Sequence, residues 1–156
     1  MIKVLFICLG NICRSPMAEA VFANLVSQKG LDEHFVVDSA GTSDYHIGEP
    51  PHKDTLEQLK LHGINANGLT GRQLNENDYV HFDYMIVMDE SNLNNVKLRH
   101  NGSSKPTIKK LLDYLPEEGI QDVPDPYFEG GFDYTYDLVS RSCKHLLDDI
   151  LAEKDL

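Results

Sequence analysis

The sequence predicts an α/β fold of three layers, in which a mostly parallel sheet lies between helices within a single domain. Two observations lead to this prediction. Short apolar segments alternate with longer segments whose apolar residues repeat at helical spacing, which is the pattern of βαβ units. The chain has 156 residues and no shift in composition, which suits one hydrophobic core and gives no sign of a second domain.

The first forty residues predict one βαβ unit. Residues 2–8 are apolar and partly β-branched, as in a buried strand. Ser15 and Pro16 predict a helix start, with serine at the N-cap and proline at the first helical position, and Gly30 predicts the helix end. Residues 35–37 predict the second strand, which a helical crossover makes parallel to the first.

The rest of the chain continues this alternation, and its last helix has the clearest pattern. Pairs of residues recur there every four positions, from Leu138 and Val139 to Ile150 and Leu151, as on the apolar face of an amphipathic helix. The remaining predicted elements are a polar loop after residue 42, a helix at 53–62, a strand at 82–88, a helix starting at 89–92, a strand at 107–110, a long loop at 120–133 and the last helix at 134–152.

Composition and charge limit the classes of function. The net charge of -11 argues against a nucleic-acid or membrane-surface partner. Because this charge repels anions, an anionic substrate would have to be held by a few hydrogen-bond donors that point directly at it. Three cysteines are too few, and odd in number, for a disulfide framework. No apolar run is long enough to span a bilayer, and the N-terminus lacks a secretory signal. We therefore expect a cytoplasmic protein.

The turn from Cys8 to Ser15, with the sequence CLGNICRS, combines two cysteines, an arginine and a serine within eight residues. It follows the first strand and leads into the first helix, which is where parallel sheets bind ligands and where helix amides attract anions. Gly10 and Asn11 tolerate the left-handed backbone angles of a tight cradle. Positive potential lowers the pKa of a thiol and so favours the nucleophilic thiolate of Cys8.

Two further side chains complete the predicted cradle. Arg14 supplies a planar, bidentate donor that suits the oxygens of a phosphate group. The hydroxyl of Ser15 can donate to the thiolate and also cap the helix. A cysteine separated by five residues from R-S-P, between a strand and a helix, is therefore typical of a nucleophile next to an oxyanion clamp.

A second motif, Asp125 between two prolines, supplies a candidate acid. Hydrolysis of a phosphate monoester needs a proton for the leaving oxygen. Pro124 and Pro126 stiffen this segment, and Tyr127 and Phe128 place aromatic surface beside the carboxyl group. The alternative for this motif taken alone is an ordinary loop turn.

Blocks along the whole chain, 1–156, resemble the low-molecular-weight protein tyrosine phosphatases. The resemblance implies a four-stranded parallel sheet flanked by helices on both faces, one phosphatase domain, and neither cofactor nor metal. The expected partners are phosphotyrosine-containing proteins, and a monomer is expected, with a weak dimer as the alternative. The matching blocks are VLFICLGNICRSPMAEAVF (4–22), VDSAGTSDYHIGEPP (37–51), HGI (62–64), FDYMIVMDESN (82–92) and PDPYF (124–128).

The resemblance also implies roles for individual residues. Cys8 matches the nucleophile that forms a phosphocysteine, Arg14 and the amides of 9–14 match the phosphate clamp, and Asp125 matches the general acid and base. Cys13 matches a cysteine that can form a protective disulfide with the nucleophile. The implied substrate-binding residues are Leu9, Gly10, Asn11, Ile12, Cys13, Ser15, Tyr45, Tyr127 and Phe128, and the implied supporting network is Asn11, Ser39 and His62.

Some assignments keep open alternatives. His62 could be an ordinary cation at a helix C-terminus, and Cys13 could be an inert buried thiol. Phe128 stands where many family members have a second tyrosine, so phosphorylation at that position is excluded. The aromatic wall is retained.

Three rival functions share parts of this pattern. An arsenate reductase needs two further cysteines, whereas only Cys143 lies beyond the turn, on a predicted core face. A protein arginine phosphatase carries threonine where this chain has Ile12. A phosphate-binding module without turnover would need the amides and Arg14 but neither Cys8 nor Asp125.

Overall fold

A four-stranded, all-parallel sheet forms the middle layer of the molecule. The computed structural model describes residues 1–100, 102 and 104–156. The strands are β1 (Ile2–Cys8), β2 (Phe35–Gly41), β3 (Tyr84–Val87) and β4 (Thr107–Lys110), in the spatial order β2-β1-β3-β4. Cys8 lies opposite Gly41, and Ile7 lies opposite Val87. The predicted four-stranded parallel sheet is therefore confirmed.

Helices cover both faces of this sheet. The α-helices are α1 (Arg14–Gln28), α2 (Lys53–Leu61), α3 (Asp78–His81), α4 (Glu90–Arg99), α5 (Pro126–Glu129) and α6 (Phe132–Glu153), with 3₁₀ turns at Asp32–His34, Leu111–Tyr114 and Pro116–Glu118. None of the helices in the described ranges is long and apolar enough to cross a membrane.

Alternation along β1 divides the core in two. Val4 and Phe6 face a large cluster with α1, α2 and α6, whereas Leu5 and Ile7 face a smaller cluster with α3 and α4. Both sets of side chains are fully buried, so β1 is the central strand of a three-layer domain. Its carboxyl end, at Cys8, is consequently enclosed by elements from both layers.

Helix α1 begins earlier than the sequence predicts. Its N-cap position is Cys13, not Ser15, and Pro16 lies in the first turn, at the third helical position. Proline is tolerated there because the first N–H groups of a helix have no intrahelical acceptor. The predicted cap role of Ser15 is wrong, since its hydroxyl contacts Cys8 and Asn11 instead.

Three other parts of the chain also differ from the predictions. Strand β2 continues to Gly41, beyond the predicted strand at 35–37, so that Ser39 lies within the strand. The predicted loop at 120–133 contains the short helix α5, which Asp125 caps through its own side chain, and the first two residues of α6. The short helix α3 was not predicted, because four residues are too few to show a helical period.

Candidate active site

The loop between β1 and α1 forms an open cradle above the central strand. Among the described residues, the N–H groups of residues 10–13 donate no hydrogen bond to other protein groups, although the carbonyls of Cys8, Leu9 and Ile12 are all engaged. Unpaired amides are costly unless they face solvent or a ligand. Because these amides precede the start of α1, they form a site for an anion.

Asn11 holds the cradle in shape from behind. It has a left-handed backbone angle, φ 56, which asparagine tolerates better than most residues. Its Nδ2 group donates to Ser15 Oγ at 2.7 Å and to Ser39 Oγ at 2.9 Å, and its Oδ1 accepts from the backbone N–H of Arg72 at 3.0 Å. The asparagine side chain therefore fastens the loop to both α1 and β2.

These bonds assign the hydrogen of the Ser15 hydroxyl. Ser15 Oγ lies 3.0 Å from Cys8 Sγ and already accepts a hydrogen from Asn11. Its own hydrogen is then free to point at the sulfur. The structure thus brings Cys8, Asn11, Ser15 and Ser39 together.

Glu19 extends this network and was missed from the sequence. Ser39 Oγ donates to Glu19 Oε1 at 2.6 Å. Burial raises the pKa of Glu19 to about 7, an effect that the Ser39 hydrogen bond reduces and the charge of Asp38 reinforces. The one available signal was an acidic residue between Ala18 and Ala20 on a buried stretch of helix.

The structure does not bring His62 into this network. His62 is exposed, its Nδ1 lies 2.9 Å from the Gln58 carbonyl, and its ring stacks on Tyr136 with centroids 3.8 Å apart. As the C-cap of α2, it links α2 to α6. The assignment of His62 to the network is therefore corrected, because the helix end places it outside the cradle.

Arg14 lies under the cradle, and its guanidinium is anchored through Nη1. Nη1 donates to Asp89 Oδ2 at 2.7 Å and to the Val123 carbonyl at 2.9 Å. Nε is buried and has no partner among the described residues. A buried guanidinium N–H that has no protein partner is available to donate to an oxyanion.

The charges around Arg14 keep it protonated. Burial alone would lower its pKa, but the negative charges of Cys8, Asp125 and Asp89 outweigh burial and raise the pKa of Arg14. Asp89 also caps α4, because its Oδ1 accepts from the Asn92 N–H at 2.8 Å. The sequence predicted that helix start but not the contact with Arg14.

Asp125 lies at the rim of the cradle. Its Oδ1 accepts from the Tyr127 N–H at 3.1 Å as the N-cap of α5, and its Oδ2 lies 3.4 Å from Arg14 Nη2. The side chain is 22% exposed, so it can exchange protons with a ligand and with water. The prolines on both sides restrict the backbone there.

A pocket of about 280 Å³ opens above Cys8, which is itself only 3% exposed. Tyr45, Tyr127 and Phe128 form an exposed aromatic rim. His46 was missed from the sequence, and a Cβ at Gly10 would come within 3.0 Å of its ring. Asn11 and Ser15 support the floor from behind. The pocket is lined by Cys8, Leu9, Gly10, Ile12, Cys13, Tyr45, His46, Asp125, Tyr127 and Phe128.

The other two cysteines lie in different surroundings. Cys13 is 4% exposed, and burial, together with the charges of Cys8 and Asp125, raises its pKa to about 12. Cys143 is fully buried in α6, as the apolar pattern predicts. All three thiols are free, so the protective disulfide of Cys8 with Cys13 stays a prediction.

Comparison with known proteins finds one family over the whole chain. Residues 3–156 match the family model described as low molecular weight phosphotyrosine protein phosphatase. The chain is 46% identical to low molecular weight protein-tyrosine-phosphatase YfkJ of Bacillus subtilis, with 100% of both sequences covered. The crystal structure of YfkJ has a TM-score of 0.95 to this fold and covers 99% of this chain and 97% of its own.

Two further relatives bear on the substrate. The chain is 40% identical to low molecular weight protein-tyrosine-phosphatase PtpA of Staphylococcus aureus, covering 100% of this chain and 98% of PtpA. It is 35% identical to a Drosophila arginine phosphatase, whose crystal structure has a TM-score of 0.89 and covers 96% of this chain and 98% of its own. Relatives that share this fold are therefore named tyrosine phosphatases in some cases and an arginine phosphatase in another.

Proposed function

The chain belongs to the low-molecular-weight phosphotyrosine protein phosphatase family, and from this premise we propose that it hydrolyses phosphotyrosine and aryl phosphates through a phosphocysteine on Cys8. The family membership makes it a phosphatase and implies phosphoprotein substrates. The observation that supports the specific mechanism most is that, among the described residues, the Nε of buried Arg14 and the amides of residues 10–13 have no protein partner.

The first step transfers the phosphoryl group to sulfur. The substrate dianion enters the cradle, where the amides of residues 10–13 and Arg14 hold its nonbridging oxygens. The Cys8 thiolate attacks phosphorus, so that an S–P bond forms while the bond to the leaving oxygen breaks. Asp125, in its protonated form, gives its proton to that leaving oxygen. The hydrogen of Ser15 stabilises the sulfur anion when it is regenerated.

The second step releases phosphate. Asp125, now a carboxylate at the rim, accepts a proton from a water molecule whose oxygen attacks phosphorus. The S–P bond breaks, the electron pair returns to sulfur, and inorganic phosphate leaves. Removing the carboxyl group is expected to lower the rate by about 10²- to 10⁴-fold, the usual contribution of general acid catalysis.

The pocket walls favour an aryl leaving group over a guanidinium. The side chain of Ile12 consists only of carbon atoms, whereas Tyr45 and Tyr127 provide flat aromatic surface at the pocket. Arginine phosphatase activity is the second candidate, since the fold is shared with a relative of that name. The burial of Cys143 argues against an arsenate reductase, because it lies too deep for disulfide exchange with a partner.

The test compares three substrates on one preparation. The wild type should hydrolyse para-nitrophenyl phosphate and a phosphotyrosine peptide, and a phosphoarginine peptide much more slowly. Cys8→Ser should abolish turnover while phosphate binding persists. Turnover that survives Cys8→Ser would reject the phosphocysteine, and a preference for phosphoarginine would replace phosphotyrosine as the substrate. Cytoplasmic location, phosphotyrosine-protein partners and a monomeric state stay predictions alongside this proposal.

A further inference from the structure

A buried lysine at the carboxyl end of β4 has no part in the mechanism above. Lys110 is the last residue of the edge strand, and its side chain is only 8% exposed. A buried ammonium is costly unless it is paired. Its partners therefore indicate what it holds in place.

Two carboxylates from different elements share this ammonium. Lys110 Nζ lies 2.6 Å from Glu90 Oε2, on the first residue of α4, and 3.0 Å from Asp122 Oδ1, on the segment that leads to the candidate acid. The hydrogen bond with Glu90, reinforced by Asp122, raises the pKa of Lys110 above its ordinary value. Asp122 Oδ1 also accepts from the Glu90 N–H at 3.1 Å.

The segment 122–125 is fastened at successive points. Asp122 is held by Lys110 and by the start of α4. The Val123 N–H donates to the Met88 carbonyl at 2.9 Å, and the Val123 carbonyl accepts from Arg14. Asp125 follows after one proline, with its carboxyl group 3.4 Å from Arg14. The ammonium is therefore the outer anchor of the short segment that ends in the acid.

We propose that Lys110 is a positioning residue for Asp125, which it serves by clamping the segment 122–125 onto the start of α4. The inference rests on the proposed function, because it gives Lys110 a role in positioning the proposed acid. Without the ammonium, Glu90 and Asp122 would face each other as two like charges across the junction. Their repulsion would displace the end of the segment, and an error of about 1 Å in a reacting group can cost about 10²-fold in rate.

The readout is the dependence of rate on the leaving group. A phenol that leaves readily, such as para-nitrophenol, needs little help from an acid, whereas unsubstituted phenol or tyrosine needs much. The measured quantity is the ratio of kcat/KM for para-nitrophenyl phosphate to kcat/KM for phenyl phosphate. This ratio does not depend on the fraction of folded enzyme, so a loss of stability alone leaves it unchanged.

Four single variants and one double variant form the experiment. Lys110→Met keeps the length of the stem and removes the charge, whereas Lys110→Arg keeps the charge. Lys109→Met is the matched control, because Lys109 is exposed and lies over the Tyr114 ring, 5.6 Å from its centroid. Asp125→Ala sets the ratio that results when the acid is lost altogether. Lys110→Met is also combined with Asp125→Ala.

The expected result is an increase of about tenfold in the ratio for Lys110→Met, with wild-type values for Lys110→Arg and Lys109→Met. In the Asp125→Ala background, Lys110→Met should change the ratio less than twofold. An unchanged ratio for Lys110→Met, or an equal increase in both backgrounds, would overturn the inference. A wild type that hydrolyses neither substrate would instead refute the proposed function, so the two failures are distinguishable.

Discussion

Replacing Glu19 with glutamine should change how stability depends on pH. The folded protein raises the pKa of Glu19 from 4.5 to about 7, chiefly because the carboxyl group is buried. Between these pH values the folded chain holds a proton that the unfolded chain has released. The contribution of Glu19 to stability is therefore complete below pH 4.5 and is lost as the pH rises through 7.

The size of this effect follows from the same values. One pKa unit is worth about 1.4 kcal/mol, so the change from 4.5 to about 7 corresponds to about 3 kcal/mol. Glutamine imitates the neutral carboxyl group and can still accept the hydrogen bond from Ser39. We expect Glu19→Gln to be within about 1 kcal/mol of the wild type at pH 5 and to exceed its free energy of unfolding by about 2 to 3 kcal/mol at pH 8.

Urea denaturation at a series of pH values measures this difference directly. Glu33→Gln is the matched control, because Glu33 is exposed on a 3₁₀ turn and its removal should leave the wild-type curve unchanged. If the curves of Glu19→Gln and wild type stay parallel from pH 5 to pH 8, the buried, protonated Glu19 described here is wrong. A Glu19→Gln variant less stable than the wild type at pH 8 would contradict it equally.

Three further predictions follow from the site. Asp89→Asn removes the charge that anchors Arg14, so the inhibition constant of inorganic phosphate should rise about tenfold; an unchanged constant would mean that the anchor is dispensable. His62→Ala should leave kcat/KM within about twofold of the wild-type value. Loss of the stack on Tyr136 should lower the free energy of unfolding in urea by about 1 kcal/mol. A large loss of activity would instead mean that His62 belongs to the network that supports the cradle. At pH 7, iodoacetamide should label Cys8 and not Cys13, whose pKa is about 12, and peptide mass spectrometry should show phosphate protecting Cys8; comparable labelling of Cys13 would contradict its burial as a thiol.

The parts of this structure that depend on local patterns can be predicted from the sequence. Strand β1, the cradle residues and the capped start of α4 follow from apolar runs, glycine and cap residues that act within a few positions. The sequence also places Cys8 and Arg14 on adjoining elements, because a strand, a turn and a helix constrain one another closely. The confirmed parallel sheet follows from the crossover rule.

The parts that could not be predicted depend on distant contacts. Glu19 and Arg72 reach Asn11 and Ser39 only after β2 pairs with β1, and nothing near them in the sequence marks that approach. His62 was misplaced for the same reason, since its position depends on how α2 packs against α6. The start of α1 was misjudged because Ser15 bonds to a sulfur seven residues away instead of to its own helix.

The most direct test of the mechanism is to catch the phosphoryl group on sulfur. Wild-type enzyme is mixed with para-nitrophenyl phosphate, quenched in acid within the first turnovers and digested for mass spectrometry. We expect one added phosphoryl group on the peptide that contains Cys8, and a greater amount in Asp125→Ala, where the water step lacks its base. Rapid turnover with no phosphorylated Cys8 in either protein, or a phosphoryl group on another residue, would contradict it.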